Sequence, residues 1–245
     1  GDDIKYCEYR TAWELVMPLR ELFLSMKRDS GLVELLISQF AWRLLRCYLL
    51  LFQNLQVKGK DLLPVKGPFI LIANHSSHLD ALALCAILPE DTRAQARPLA
   101  AADTFFTNPI ISTFSALIIN ALPMHRGRVG SHALASIRES MVNYDLCPIM
   151  FPEGTRSRTG EIVSFRHGIG VLVAGTKVPV VPCRIQGAYE AWPPQSDRPR
   201  NGNIEIIIGQ PMCFEHIPSN RRGWSQIASQ LEEKVRGLSS VSAPI

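Results

Sequence analysis

The chain has no close pair of cysteines. Cys7, Cys47, Cys85, Cys147, Cys183 and Cys213 are scattered over 245 residues. Zinc ribbons and small secreted scaffolds need clustered thiols, so neither class fits. Buried free thiols in a reducing compartment are the expectation. The G-x-S-x-G elbow is also missing, which speaks against a serine hydrolase. The chain lacks G-x-x-x-x-G-K-[ST] as well, so it carries no nucleotide loop of that kind. No signal peptide opens the chain, but it begins at Gly1 rather than Met, as an expression scar or an excised fragment would, and so says little about targeting. Excess charge is small: 26 Lys and Arg against 22 Asp and Glu give a formal +4. That bias is too weak to point to nucleic acid, yet it suits anionic substrates or an anionic membrane surface.

Long uncharged runs are scarce too. The longest, Thr104 to Met124, is broken by Thr107, Asn108, Pro109, Ser112, Thr113, Ser115 and Asn120. It reads as a helix packed within the protein rather than a membrane span. What is present is ample core material, with 47% hydrophobic residues. The length fits one domain with a helical appendage.

Residues 11–27 and 31–55 read as two helices joined near Asp29-Ser30-Gly31. Pro18 can kink the first. Apolar residues are flanked by Lys27, Arg28, Arg43 and Arg46, a pattern that fits a hairpin lying on a bilayer as well as one covering the core. Residues 1–55 are therefore expected to form an amphipathic hairpin, and residues 56–245 an α/β domain. Within that domain, residues 69–73, 97–101, 148–151, 178–184 and 203–208 read as strands, and 80–88, 131–143, 168–174 and 221–235 as helices. The expected fold is a mostly parallel or mixed central sheet flanked by helices. Its ligand-binding residues should lie at the carboxyl ends of strands.

The first motif, Asn74-His75-Ser76-Ser77-His78-Leu79-Asp80, follows one such strand. Asp80, on the first or second turn of a helix, can hydrogen-bond one ring nitrogen of His75. That fixes the tautomer and stabilises imidazolium. The alternative is that both residues simply cap the helix. His78 is a rival base. Ser76 and Ser77 are too close to complete a hydrolase triad, so the pair is better suited to deprotonating a substrate hydroxyl. A metal site built on His75, His78 and Asp80 has no completing ligand.

The second motif, Phe151-Pro152-Glu153-Gly154-Thr155-Arg156-Ser157, follows another strand. Gly154 permits a tight turn. Thr155, Ser157 and backbone N–H groups can face an anion, and Arg156 offers a fork matched to phosphate. Glu153 can anchor the loop or an arginine, or bond an acceptor hydroxyl. Arg126, within Leu122-Pro123-Met124-His125-Arg126-Gly127-Arg128, is a further phosphate candidate or part of an exposed basic turn.

In this order the motifs resemble the glycerolipid acyltransferase family, specifically its 1-acylglycerol-3-phosphate (lysophosphatidic acid) acyltransferase-like group. The resemblance spans about residues 56–215. It rests on the N-H-x-x-x-x-D block, the arginine block at Arg126, the full F-P-E-G-T-R-S block, and the Val178-Pro179-Val180-Val181-Pro182 strand. The glycine often found before the second block's arginine is absent. Gly187 to Pro193 resembles a downstream segment of bacterial members.

The resemblance implies O-acyl transfer from acyl-CoA or acyl carrier protein to a lysophospholipid hydroxyl, in phospholipid biosynthesis. His75 would be general base and Asp80 its orienter. Arg126 and Arg156 would hold the acceptor phosphate, and Glu153, Gly154 and Thr155 would shape the site. No metal or permanent cofactor is implied. The implied location is the cytoplasmic face of a membrane, peripheral or shallowly inserted, with a fused or partner acyl-activating domain compatible. Other lysophospholipid, glycerol-phosphate or specialised acceptors are alternatives, as are a thioesterase or lipid hydrolase and a silent membrane-binding module.

Overall fold

A computed structural model of the chain describes residues 32–101, 122–124, 137–138, 141 and 146–239. Helix α1 (Leu32–Leu51) leads into strand β1 (Gln56–Lys58). Strand β2 (Ile70–Ala73), helix α2 (Asp80–Ile87), helix α3 (Glu90–Gln95) and strand β3 (Ala96–Ala101) follow. After β4 (Leu122–Met124) come β5 (Cys147–Met150), α4 (Gly168–Val173), β6 (Val180–Gln186) and α5 (Ala188–Ala191). Strand β7 (Glu205–Ile208) and helix α6 (Arg221–Gly237) complete the series. The proposed first helix at 11–27, its joint at Asp29-Ser30-Gly31 and Arg126 lie outside the described residues. So does most of the uncharged stretch 104–124. Of the helix expected at 131–143, residues 137, 138 and 141 are described and helical.

The strands form one sheet in the order β1-β7-β6-β2-β5-β3-β4. All neighbours pair in parallel except β6 and β7, so β1 and β7 run against the other five. Each residue of β2 is fully buried because both of its flanks and both of its faces are covered. Successive side chains point to opposite faces. Leu71 and Ala73 join a core containing Leu84, Ile87 and Leu49, on the side of α1 and α2. Ile70 and Ile72 join the second core with Ile169, Leu172, Ile227 and Leu231, on the side of α4 and α6.

Helix α6 starts where Asn220 Oδ1 accepts from Gly223 N at 2.9 Å, an N-cap with extended backbone. Its buried Ile227, Leu231 and Val235 recur every four residues and face the sheet.

Two details differ from expectation. Proline favours edge strands or strand ends, yet β6, which contains Pro182, lies between β7 and β2. The Pro182 carbonyl accepts from Gly209 N at 2.8 Å, just past the end of β7, so its missing N–H falls where that ladder stops. Cys85, Cys147 and Cys183 are buried, but Cys47 and Cys213 are exposed. Burial pushes the Cys85 and Cys183 thiols up to about 12, so both stay protonated. Among the described residues, no helix is long and apolar enough to cross a membrane.

Candidate active site

The site is built where the central strands β2 and β5 end. Asn74 is the first residue beyond β2, and its amide is buried. Its Nδ2 donates to the Ile185 carbonyl at 2.9 Å, and its Oδ1 accepts from Ile185 N at 2.8 Å. The side chain thus extends the β2–β6 pairing by one step and fixes where the chain leaves the sheet. Sequence reasoning gave Asn74 no role of its own. The available signal was that an amide beside a buried strand end needs both donor and acceptor satisfied.

The next residue, His75, is held through ring and backbone together. Its Nδ1 lies 2.8 Å from Asp80 Oδ2. The same oxygen accepts from Ser76 N at 2.7 Å and Ser77 N at 2.8 Å. Asp80 is fully buried on the first turn of α2. One carboxylate oxygen therefore pins both the loop and the imidazole, so orientation and capping coexist. With Nδ1 donating to the carboxylate, Nε2 is the free acceptor. The ring stacks on Phe151, with centroids 4.1 Å apart.

The second motif holds the His75 backbone. Glu153 Oε1 accepts from His75 N at 2.8 Å, and Ser157 N donates to the His75 carbonyl at 2.7 Å. Glu153 Oε2 accepts from Val163 N at 3.0 Å. Of the roles the sequence allowed Glu153, loop anchoring is the one with partners among the described residues. Burial raises its carboxyl from the ordinary range to about 7, against the lowering effect of the two N–H donors. Gly154 N donates to the Phe151 carbonyl at 3.0 Å, closing a turn that needs the positive φ of 73° at Gly154. Thr155 is exposed beside it.

Arg156 reaches across to His78. Its Nη1 lies 2.5 Å from His78 Nδ1 and 2.9 Å from Nε2. The His78 ring also packs against Trp192, with centroids 4.9 Å apart. Burial first, and then the Arg156 charge, lower the His78 pKa below 6.5, which favours a neutral ring there. His78 is thus a neighbour of the arginine, while the carboxylate faces His75. The Trp192 carbonyl further accepts from Ser77 Oγ at 2.8 Å and from His78 N at 3.3 Å. Two adjacent loops therefore bring together His75, Asp80, Glu153, Gly154, Thr155 and Arg156. Such an arrangement can take a proton at Nε2 and hold an anion at the guanidinium.

A family model described as Acyltransferase matches residues 54–186. The 1-acyl-sn-glycerol-3-phosphate acyltransferase of Bacillus subtilis (strain 168) is 27% identical over 206 residues, covering 82% of this chain and 96% of that protein. The 1-acyl-sn-glycerol-3-phosphate acyltransferase alpha of Homo sapiens is 23% identical over 166 residues, covering 67% of this chain. The match spans 56% of the human protein, little more than half its length. The crystal structure of the 1-acyl-sn-glycerophosphate (LPA) acyltransferase PlsC from Thermotoga maritima has the same fold. Its TM-score is 0.64 at 24% identity, covering 91% of this chain and 88% of that one.

Proposed function

Because the chain belongs to the Acyltransferase family, we propose that it transfers a fatty acyl group from an acyl thioester to the free hydroxyl of 1-acylglycerol-3-phosphate. The observation that carries this reading is the His75 Nδ1 to Asp80 Oδ2 contact of 2.8 Å, set beside the Arg156 loop. His75 Nε2 accepts the acceptor's hydroxyl proton as its oxygen attacks the thioester carbonyl. Asp80 steadies the imidazolium that results. The tetrahedral adduct collapses, the C–S bond breaks, and Nε2–H returns the proton to the leaving thiolate. The products are the ester and the free thiol, with no covalent enzyme intermediate.

Arg156, joined by Arg126, binds the acceptor phosphate, and Glu153, Gly154 and Thr155 shape the loop that presents it. The donor is acyl-CoA or acyl carrier protein. The protein works at the cytoplasmic face of a membrane, with residues 1–55 as its lipid-facing hairpin and residues 56–245 as the catalytic domain. A fused or partner acyl-activating domain fits the same scheme.

The test is acyl transfer from both thioester donors to lysophosphatidate, zwitterionic lysophospholipids and monoacylglycerol. Lysophosphatidate should be preferred, and His75→Ala should lower kcat about 100-fold or more. Asp80→Asn should lower kcat comparably while the fold is kept, because its amide oxygen can still accept from Ser76 and Ser77. Thioester loss without any acceptor would instead mark a hydrolase. Transfer indifferent to His75 would remove the proposed base.

A further inference from the structure

A second concave surface, far from His75, is lined by cations. Helix α1, the turn after β1 and the turn between α2 and α3 enclose a cavity of about 210 Å³. That is room for several waters at about 30 Å³ each, or for a phosphate group. Strand β1 runs against β2, so Lys60, just past β1, lies at the amino end of β2. Residues 88–93, which precede β3, lie at the same end. His75 is at the other end of the sheet.

Arg43, Arg46, Lys60 and Arg93 line the cavity, with Trp42 and Glu90 beside them. Arg93 is only 16% exposed, and its guanidinium carbon lies 5.0 Å from the centroid of the Trp42 ring. Among the described side chains, Glu90 is the one carboxylate in the lining, 71% exposed and 3.9 Å from Arg93. Among the residues whose side chains are described, none forms an ion pair or hydrogen bond with the side chain of Arg43, Arg46 or Lys60. Four cations gathered around one carboxylate leave a local positive field that an anion would neutralise.

The character of the anion follows from α1. Phe40, Leu44 and Leu51 are 62%, 56% and 77% exposed. At about 100° per residue they form one strip, roughly a third of a turn from Arg43 and Arg46. Trp42 and Leu49, on the far side, are in the core. The helix thus presents a bare apolar strip next to its cationic edge, as interfacial helices do. A dissolved phosphate would account for the cations but not for the strip. We propose that this cavity binds the headgroup phosphate of an anionic phospholipid while α1 lies in the bilayer interface. The proposal deepens the membrane-surface reading above and rests on it, placing headgroup recognition in Lys60 and Arg93 of the α/β domain as well as in α1.

The experiment is vesicle flotation of the full chain. It compares phosphatidylcholine vesicles with vesicles in which part of that lipid is phosphatidylglycerol. Anionic vesicles should bind more protein. Arg43→Gln, Arg46→Gln and Lys60→Gln should each weaken that binding about fivefold. Binding to neutral vesicles and acyl transfer to a dissolved acceptor should not change. Arg221→Gln, an exposed arginine on α6, is the control for diffuse attraction. Losses no larger than the control's would overturn the site. Equal binding to both vesicles would overturn headgroup recognition but leave membrane attachment standing, and binding to neither would overturn both. Inorganic phosphate binding at the cavity, with anionic preference intact in the variants, would assign it to a dissolved anion instead.

Discussion

Glu153 carries opposing demands at a single residue. Its two oxygens hold the His75 and Val163 N–H groups, which favours the anion. Burial opposes the anion more strongly, and the carboxyl sits at about 7 against an ordinary 4.5. The folded chain therefore binds a proton that the unfolded chain releases between about pH 4.5 and pH 7. In that window Glu153 makes stability rise as pH falls, fully so below 4.5, and the contribution is lost as pH climbs through 7. His78 acts in the opposite sense, because its lowered pKa makes stability fall once pH drops below 6.5. Comparing the wild type with Glu153→Gln isolates the first effect. The amide does not titrate, and its NH2 must face one of the two N–H donors, leaving that donor unpaired. The wild type should gain on the order of 2 kcal/mol relative to the variant between pH 8 and pH 5. Urea midpoints across that range measure it, and a constant gap would mean that burial does not raise this carboxyl.

The turn from β6 into α5 acts at the scale of elements. Gly187 holds φ at 75°, and a Cβ there would lie 1.9 Å from the Asn203 carbonyl oxygen. Relief would require moving backbone. Helix α5 ends at Trp192, whose carbonyl receives Ser77 and His78 from the first motif. Gly187→Ala should therefore lower stability by about 1–3 kcal/mol from the left-handed φ alone, and by more from the clash. Residual folded protein should show impaired transfer, because the His78 loop shifts with Trp192. Wild-type stability and kcat in the variant would refute this linkage.

What could be read in advance divides along the same physical line. Strands β2, β5 and β6 were legible because burial on both faces demands continuous apolar runs, and α6 because one buried face imposes a four-residue repeat. Strand β1 was not, since Gln56-Val57-Lys58 is three residues at the sheet's edge with two polar side chains. Helix α3, Glu90-Asp91-Thr92-Arg93-Ala94-Gln95, is too short and polar to carry a period. Helix α2 was expected over 80–88 and spans Asp80–Ile87, and the Asp80 carboxylate ties Ser76 and Ser77 into the turn before it. In the site, the side-chain pairing of His75 with Asp80 was legible from spacing. The grip of Glu153 and Ser157 on the His75 backbone was not, because it joins two strand ends that only the sheet order makes neighbours.

For the whole molecule, α1 decides whether the N-terminal region is separable from the α/β domain. Leu49 is fully buried in the same core as Leu71 and Ile149. Just after the helix, Gln53 Nε2 donates to the Arg200 carbonyl at 2.8 Å, and Gly202 N donates to the Phe52 carbonyl at 3.1 Å. Removing residues 1–55 would therefore strip core and edge contacts as well as any lipid contact, so loss of membrane binding by that truncation would say nothing about anchoring. Two substitutions two residues apart separate the roles. Leu49→Ala opens a cavity and should lower stability by about 2–5 kcal/mol. Leu51→Ser, at a side chain 77% exposed, should change stability by about 0.5 kcal/mol or less. It should nevertheless weaken binding to neutral phosphatidylcholine vesicles, because it removes apolar area from the outward strip. Chemical denaturation and flotation on the same two proteins provide the check. If Leu51→Ser floats as well as wild type, α1 only covers the core, and attachment must come from elsewhere in the chain.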